Sequence, residues 1–506
     1  MGDLASGFAG LATWAVAASI VLGALLGVVI GVLPGIGPGV AIAVMLPLTY
    51  GMPPLAGITL LLGVYVGAFY GGAVTSILIG TPGEASSIMT MFDGWPMARR
   101  GEAERALSLA FGSAFVGGVV SALVLGLVAR PLAELTGRFG AAENTMAAVL
   151  ACVLVARAYQ RQFASAMMMM GLGLLAGTMG IDPTSGGQRF TFGVPALQNG
   201  LPIVPMVIGL FGVAQALVLV SSPRSAAQAG AELAGPPRFG HFFEPFRYPT
   251  TLAKSVGIGT GIGVLPAVGA ALSTTLAYFE ARRASRDPDR FGKGHPEGIV
   301  AAEAANNSNS GGAMVTVLAL GIPGDAVTAI IMSVFIVHGI VPGPTLFADR
   351  PELVSGIFAA LIVLNVAVVA VLLVTTRRLA SLARVDSRWL GIFILVLCFV
   401  GAYSTANSFH GVWVALGAGI LGWFCAVGRI PVVPMVLALV LGDMLEASLR
   451  QALAVSDGSP LIFVKRPVAA VLTAGAVLAL VWPWLASLRR RAHAGADGES
   501  LRDQRV

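Results

Sequence analysis

The stretch YGGAVTSILIGTPGEASS, running from Tyr70 to Ser87, decides how this chain is read. From Leu4 to Gly83 there is no Lys, Arg, Asp or Glu. Into that apolar run come a Gly pair, then Pro82–Gly83, then an acid, Glu84. Proline has no N–H to give a helix, and glycine freely takes unusual backbone angles, so the segment breaks here. In hydrocarbon an unpaired N–H or C=O costs several kcal/mol, so a break survives only when buried in protein or lining a watery cavity. A second string, NNSNSGGAMVTVLALGIPGDAVT from Asn306 to Thr328, carries the same pattern at Pro323, Gly324 and Asp325.

The surroundings are those of a membrane protein. Of 506 residues, 56% are hydrophobic and 11% charged, with a mean hydropathy of +0.85. Soluble domains carry about 25% charged residues. The charge-free runs Ala106–Leu127, Ser255–Phe279 and Ala304–Gly324 match or exceed the ~20 residues needed to cross a bilayer. They are too long for barrel strands and do not alternate. The expectation is an all-α polytopic membrane protein with about 11–14 membrane segments, some of them broken helices or re-entrant hairpins. The N-terminus lacks a basic start and stays apolar far past signal length, so it reads as the first span.

The formal net charge of +6 does not point to nucleic acid. The bases cluster in short connections, as cytoplasmic loops require. Cys152, Cys398 and Cys425 are scattered singly without ligand or redox spacing and read as packing residues.

The chain repeats itself. GVLPGIG at Gly31–Gly37 returns as GVLPAVG at Gly263–Gly269, 232 residues later. The Pro-Gly of Pro82–Gly83 returns at Pro323–Gly324, 241 residues later, so two landmarks recur in order. Between them the first copy has the uncharged TYGMPPLAG, whereas the second has the basic EARRASRDPDRFGKGHPEG. Beyond the second landmark the bias reverses: DGWPMARRGEAER is basic, and HGIVPGPTLFADRPEL carries one Arg against two acids. The positive-inside rule then places corresponding loops on opposite sides, which is an inverted-topology repeat. The expected division is 1–220 for the first transmembrane repeat, 221–250 for a linker, 251–487 for the second repeat and 488–506 for a basic cytoplasmic tail.

Transporters place such breaks near the midplane. Half-helix N-termini there face an anion, and freed carbonyls coordinate cations. The expected substrate or ion site runs through Pro34, Gly35 and Gly37, then Thr81, Pro82, Gly83, Glu84 and Ser86 in the first copy. In the second it runs through Gly269, Ser273, Asn306, Asn307, Asn309, Gly321, Pro323, Gly324 and Asp325. Asn oxygens suit a hard ion, so Asn306, Asn307 and Asn309 are candidate Na⁺ ligands.

Each assignment has a plainer alternative. The Pro-Gly pairs could turn the chain at the membrane surface. Glu84 and Asp325 could simply cap the helices that follow. The Asn run could be a solvated loop, and the LPGIGPG segment could serve close helix approach rather than the cavity. His338 and His410 are solitary, and no nucleophile–base or metal constellation occurs, so no catalytic residue and no cofactor beyond a coupling ion, Na⁺ or H⁺, is expected.

Five strings together, GVLPGIGPGVA, GVYVGAFYGGAVTSILIGTPGEASS, DGWPMARRGEAERAL, FGKGHPEGIVAAEAANNSNSGG and LGIPGDAVTAIIMSVFIVHGIVPGP, resemble the large membrane subunit of the bacterial tripartite tricarboxylate transporters. The resemblance is strongest over 23–110 and 255–346. It implies a multi-pass subunit of the bacterial inner membrane, working with a small transmembrane subunit and a periplasmic solute-binding protein. The implied activity is import of citrate or another di- or tricarboxylate, driven by an ion gradient. Ala267 departs from the pattern, standing where a Pro-Gly like Pro34–Gly35 is usual. The alternative is a stand-alone secondary permease for carboxylates or amino acids, told apart by whether a small subunit copurifies.

Overall fold

A computed structural model describes residues 2–33, 36–182, 184–221, 239–266, 268–382 and 387–481. Pro34, Gly35, Ala267, most of the 221–250 linker and the whole 488–506 tail lie outside the described residues.

The first half begins with α1 (Gly2–Gly10) and α2 (Trp14–Gly31), followed by the short α3 (Pro38–Met45). Pro38 opens α3 at the one place in a helix where its missing N–H is no loss. Helix α4 (Pro54–Leu78) ends at the tip that carries Pro82–Gly83. The chain then forms α5 (Ile88–Met97), turns at Gly101 with φ 84, and enters α6 (Ala103–Thr136). Two helices follow, α7 (Ala141–Ala158) and α8 (Phe163–Gly177). A small antiparallel hairpin, β1 (Gly180–Ile181) with β2 (Gln188–Arg189), leads into α9 (Ile203–Val207) and α10 (Ala214–Ser221), joined by a π-helical turn.

The second half contains α11 (Phe239–Phe242), α12 (Pro249–Gly263), α13 (Gly269–Ala284), α14 (Pro296–Leu320) and α15 (Ala326–Val337). After them come α16 (Leu346–Asp349), α17 (Pro351–Leu382), α18 (Ser387–Ala406), α19 (Phe409–Val427), α20 (Val433–Val455), α21 (Ile462–Lys465) and α22 (Pro467–Val481). Among the described residues, eight helices are long and apolar enough to cross a membrane, and four shorter apolar helices accompany them. The all-α reading holds apart from the two-residue strands.

Close packing follows a repeated plan. On α2, Gly23, Gly27 and Gly31 lie against the backbone of α4 at Leu60, Gly63 and Ala68. On α12, Gly259 and Gly263 lie against α14 at Ala305 and Gly312 in the same way. The long helices cross over between halves. Helix α6 packs on α14, with Gly117 against Ala304. Conversely, α17 packs on α4, where the Tyr70 hydroxyl donates to Asn365 Oδ1 at 3.0 Å. Small residues permit this approach, which is how helices associate in lipid.

The connections pair across halves too. Asp93 in the middle of α5 accepts from the N–H groups of Gly294 and His295 at 2.8 and 2.7 Å and from Tyr278 Oη at 2.7 Å. Arg100 donates to the carbonyls of Lys293 and Gly294. The loop after the first tip therefore meets the loop before α14. On another part of the molecule, Gly57 lies against His338, and Leu55 against Gly356. The described end of the linker is docked rather than free-standing: Glu244 pairs with Arg105 at 2.5 Å. That Arg105 contact holds the Glu244 carboxyl below the usual carboxylate range.

Candidate functional site

Both tips fold back toward mid-helix. Glycine occupies the left-handed region at Gly80 (φ 65) and Gly321 (φ 68), and Gly321 is the C-cap of α14. The glycines of the Pro-Gly pairs do something else, since neither has a positive φ. A Cβ on Gly83 would lie 2.8 Å from Gly72 Cα and 2.9 Å from Gly31 O. A Cβ on Gly324 would lie 2.6 Å from Ala313 Cα and 2.8 Å from Gly263 O. Space, not backbone angle, is what these two positions require.

The folded-back tips bring four helix N-termini to one cavity of about 380 Å³. It is lined by Gly37–Val40 at the start of α3, Glu84–Ser86 before α5, Val268–Ala271 at the start of α13 and Asp325–Val327 at the start of α15. The walls are completed by Phe69, Tyr159, Phe211 and Val433. The two halves contribute alike: a Cβ on Gly37 would meet Glu84 Cβ at 3.9 Å, and one on Gly269 would meet Asp325 Cβ at 3.9 Å. Among the described residues, no Lys, Arg or His lines this cavity. Positive charge at this wall comes from helix ends, each equivalent to roughly half a unit charge, and is set against the two acids.

Both acids are also caps. Asp325 Oδ1 accepts from the Thr328 N–H at 2.7 Å, and the Thr328 hydroxyl accepts from the Asp325 N–H at 2.9 Å. Ser87 Oγ accepts from the Glu84 N–H at 3.2 Å, and Ser86 Oγ donates to Glu84 Oε1 at 2.7 Å. The capping alternative and the cavity-lining reading are therefore both realised. Asp325 Oδ2 also accepts from Tyr65 Oη at 2.5 Å and from Asn309 Nδ2 at 3.4 Å. Three different helices thus hold one carboxylate.

The other expected residues divide. Gly37, Glu84, Ser86, Gly269 and Asp325 line the cavity. Asn309 stands behind it on Asp325, whereas Ser273 bonds its own helix at Ala270 O. Thr81 and Pro82 sit on the outer side of the first tip, with Thr81 exposed. Pro323 is buried and Gly321 packs on Pro342, away from the cavity. Asn306 and Asn307 lie inside α14 with the rest of the Asn run, all buried. The solvated-loop alternative for this run is thereby removed.

Tyr65, Tyr159, Phe211 and Val433 were not singled out by motif. For the last two a signal exists: PIVPMV at Pro202–Val207 returns as PVVPMV at Pro431–Val436. This third landmark recurs after 229 residues; its second copy delivers Val433 to the cavity, and Phe211 follows four residues after its first copy.

Comparison with known proteins gives a consistent result. The profile described as the Tripartite tricarboxylate transporter TctA family matches residues 18–437. A 52.8 kDa Agrobacterium vitis protein from the TAR-I ttuC′ 3′ region, described as uncharacterized, is 36% identical over 454 residues, covering 89% of each chain. A second A. vitis protein, from the TAR-II ttuC′ 3′ region and also described as uncharacterized, is 33% identical over 234 residues, 46% of this chain and 96% of that one. No solved structure matches.

Proposed function

The chain belongs to the tripartite tricarboxylate transporter TctA family, a family of transporters rather than enzymes, and from that premise we propose that it imports citrate or another di- or tricarboxylate. In this reading it is the large subunit of a bacterial inner-membrane system, with a small transmembrane subunit and a periplasmic binding protein as partners. An ion gradient, of Na⁺ or H⁺, drives it.

The observation that carries the reading is the convergence of four helix N-termini on one cavity. Each helix end presents a positive dipole end, which suits the carboxylate groups of the substrate. Because the same wall holds Glu84 and Asp325 and, among the described residues, no basic side chain, an anion of two or three charges that enters alone meets repulsion from these acids. A cation or protons entering with it remove that repulsion, which is a physical reason for ion coupling.

The same reading makes the two halves inverted repeats, 1–220 and 251–487, joined by the linker. What supports it is the pairing of the basic 93–105 loop with the basic 280–298 loop, and of Gly57 with His338. Corresponding loops thus meet non-corresponding partners, as opposite orientations require.

The test is uptake into proteoliposomes containing this chain and its small subunit. A panel of labelled di- and tricarboxylates is offered with and without the binding protein, a Na⁺ gradient and a pH gradient. The expected result is accumulation of at least one acid that needs both the binding protein and a gradient. Uptake without the binding protein would favour a stand-alone permease, and no uptake of any acid would remove the carboxylate assignment.

A further inference from the structure

Glu303 takes no part in the cavity wall, yet it is fully buried in α14. Its Oε1 accepts from Thr90 Oγ1 at 2.5 Å, from α5 of the first tip, while its Oε2 has no partner. Asn306 and Asn307 lie three and four residues further on, so they share its face of the helix. Asn307 Nδ2 donates to the Glu303 carbonyl at 3.4 Å, which seats that side chain on the turn Glu303 occupies. Asn307 Oδ1 and both polar atoms of Asn306 are buried and unpaired. The Asn306 amide faces the Glu84 carboxyl without closing a hydrogen bond of ordinary geometry.

Such a cluster cannot stand as it is. An unpaired buried carboxylate is penalised by several kcal/mol, and each orphaned amide oxygen adds about 1–3 kcal/mol. A proton on Glu303 would remove the charge, but its O–H could serve one acceptor and leave the other amide oxygen bare. A divalent cation would exceed the single negative charge that Glu303 brings. A dehydrated monovalent cation balances that charge and matches oxygens that the i, i+3, i+4 spacing turns to one face of α14, since hard cations prefer such oxygen ligands.

We propose that Glu303 Oε2, Asn306 Oδ1 and Asn307 Oδ1 form a binding site for a Na⁺-class monovalent cation, separate from the carboxylate cavity and adjoining it through Asn306. With Asn306 Oδ1 on the cation, its Nδ2 is left to donate to Glu84 at the cavity wall, so ion occupancy orders the surface the substrate meets. Thr90 ties the same site to the first tip, so the cation fastens α5 to α14. The role of this ion in coupling rests on the transporter reading; its binding does not.

The experiment measures thermal unfolding of the purified full chain by its tryptophan fluorescence, without any carboxylate. NaCl, KCl and choline chloride are compared at equal ionic strength. A ligand that binds only the folded chain stabilises it by RT ln(1 + [L]/Kd), so the midpoint should rise with Na⁺ concentration and not with choline. Glu303→Gln keeps the shape and loses the charge, and should shift the Na⁺ dependence to at least tenfold higher concentration. Asn307→Asp supplies a second carboxylate and should create stabilisation by Ca²⁺ that the unaltered chain lacks, a gain that does not depend on a variant failing.

A Na⁺ response unchanged in Glu303→Gln, or stabilisation that follows pH with no Na⁺ effect, would overturn the site while leaving carboxylate uptake untouched. Conversely, Na⁺ stabilisation lost in Glu303→Gln would uphold the site even if no carboxylate were taken up, in which case only the transporter reading would fall.

Discussion

Tyr65 and Asp325, 260 residues apart in sequence, are joined by a 2.5 Å hydrogen bond that spans the two halves of the chain. Both groups are buried, and Asp325 simultaneously caps α15 and lines the cavity. Tyr65 therefore acts as a positioning residue, holding the acid against the helix it caps. A lost hydrogen bond to a charged group is worth about 1.5–3 kcal/mol, or roughly ten- to over a hundredfold. Tyr65→Phe should reduce the Vmax/KM of uptake by about that factor, and Asp325→Asn should reduce it at least as far. In the double variant the losses should not add, because either change breaks the same bond. Additive losses would mean that the two side chains act separately.

The contacts at Gly83 and Gly324 set a second expectation. Gly83→Ala and Gly324→Ala each place a methyl group against backbone that cannot yield without moving a helix. Overpacking of this kind typically costs about 1–3 kcal/mol, and here it would push a tip out of the cavity wall. Uptake should fall at least tenfold in both. Gly261→Ala provides the control, since nothing lies within 4 Å of its Cβ. It should be neutral or slightly stabilising, by up to about 1 kcal/mol. Normal uptake by Gly83→Ala and Gly324→Ala would show that the tips have slack.

Inverted repeats make a prediction about sidedness. The three native cysteines are buried, so their replacement leaves a background in which single cysteines can be read. Gly51→Cys and Arg286→Cys should react with a membrane-impermeant maleimide from opposite faces of the inner membrane. Labelling of both from one face would exclude opposite orientations for the halves.

The small hairpin after α8 supplies a pH signature outside the membrane. Asp182 forms an ion pair with Arg189 at 2.5 Å and accepts from Ser185 Oγ at 2.7 Å and from the Thr184 N–H at 3.0 Å. The Arg189 bond, first among these, holds its carboxyl well below the usual carboxylate range. A carboxyl lowered in the folded state contributes stability above its unfolded value, about 3.9, and loses it as pH falls through the folded value. Asp182→Asn should therefore lower the unfolding midpoint by a constant amount between pH 5 and pH 8, and the difference should narrow as pH falls below about 4. A difference that widened on acidification would have the wrong sign for this mechanism.

Much of this architecture is legible in the residues themselves, because membrane crossing penalises every unpaired backbone group and so makes breaks conspicuous. Pro-Gly followed by an acid, found twice, leads to Glu84 and Asp325 at the cavity. What pattern alone does not convey is why glycine is needed: the positive backbone angles fall at Gly80 and Gly321, while Gly83 and Gly324 answer to neighbours distant in sequence. Tyr65 is silent, being a single polar residue whose partner lies 260 positions away; Glu303 stands out as an acid just before the Asn run, but its partner Thr90, 213 positions away, does not. The two-residue strands at Gly180 and Gln188 are too short to show alternation. Val433 is within reach through PIVPMV and PVVPMV, whose match is as close as that of the other landmarks, whereas Phe211 lies just outside that repeat.

The crossed packing of the halves bears on how the protein is made. Helix α4 is buried along its whole apolar window, chiefly by α2 but in part by α14, α15 and α17, which are translated long after it. At roughly 5–20 residues per second, translation reaches Asp325 on the order of tens of seconds after Tyr65. Through that interval the nascent chain holds an unanswered phenol and helix faces shaped for partners not yet synthesised. Biogenesis must therefore shelter α4 beside the insertion machinery or an attendant chaperone.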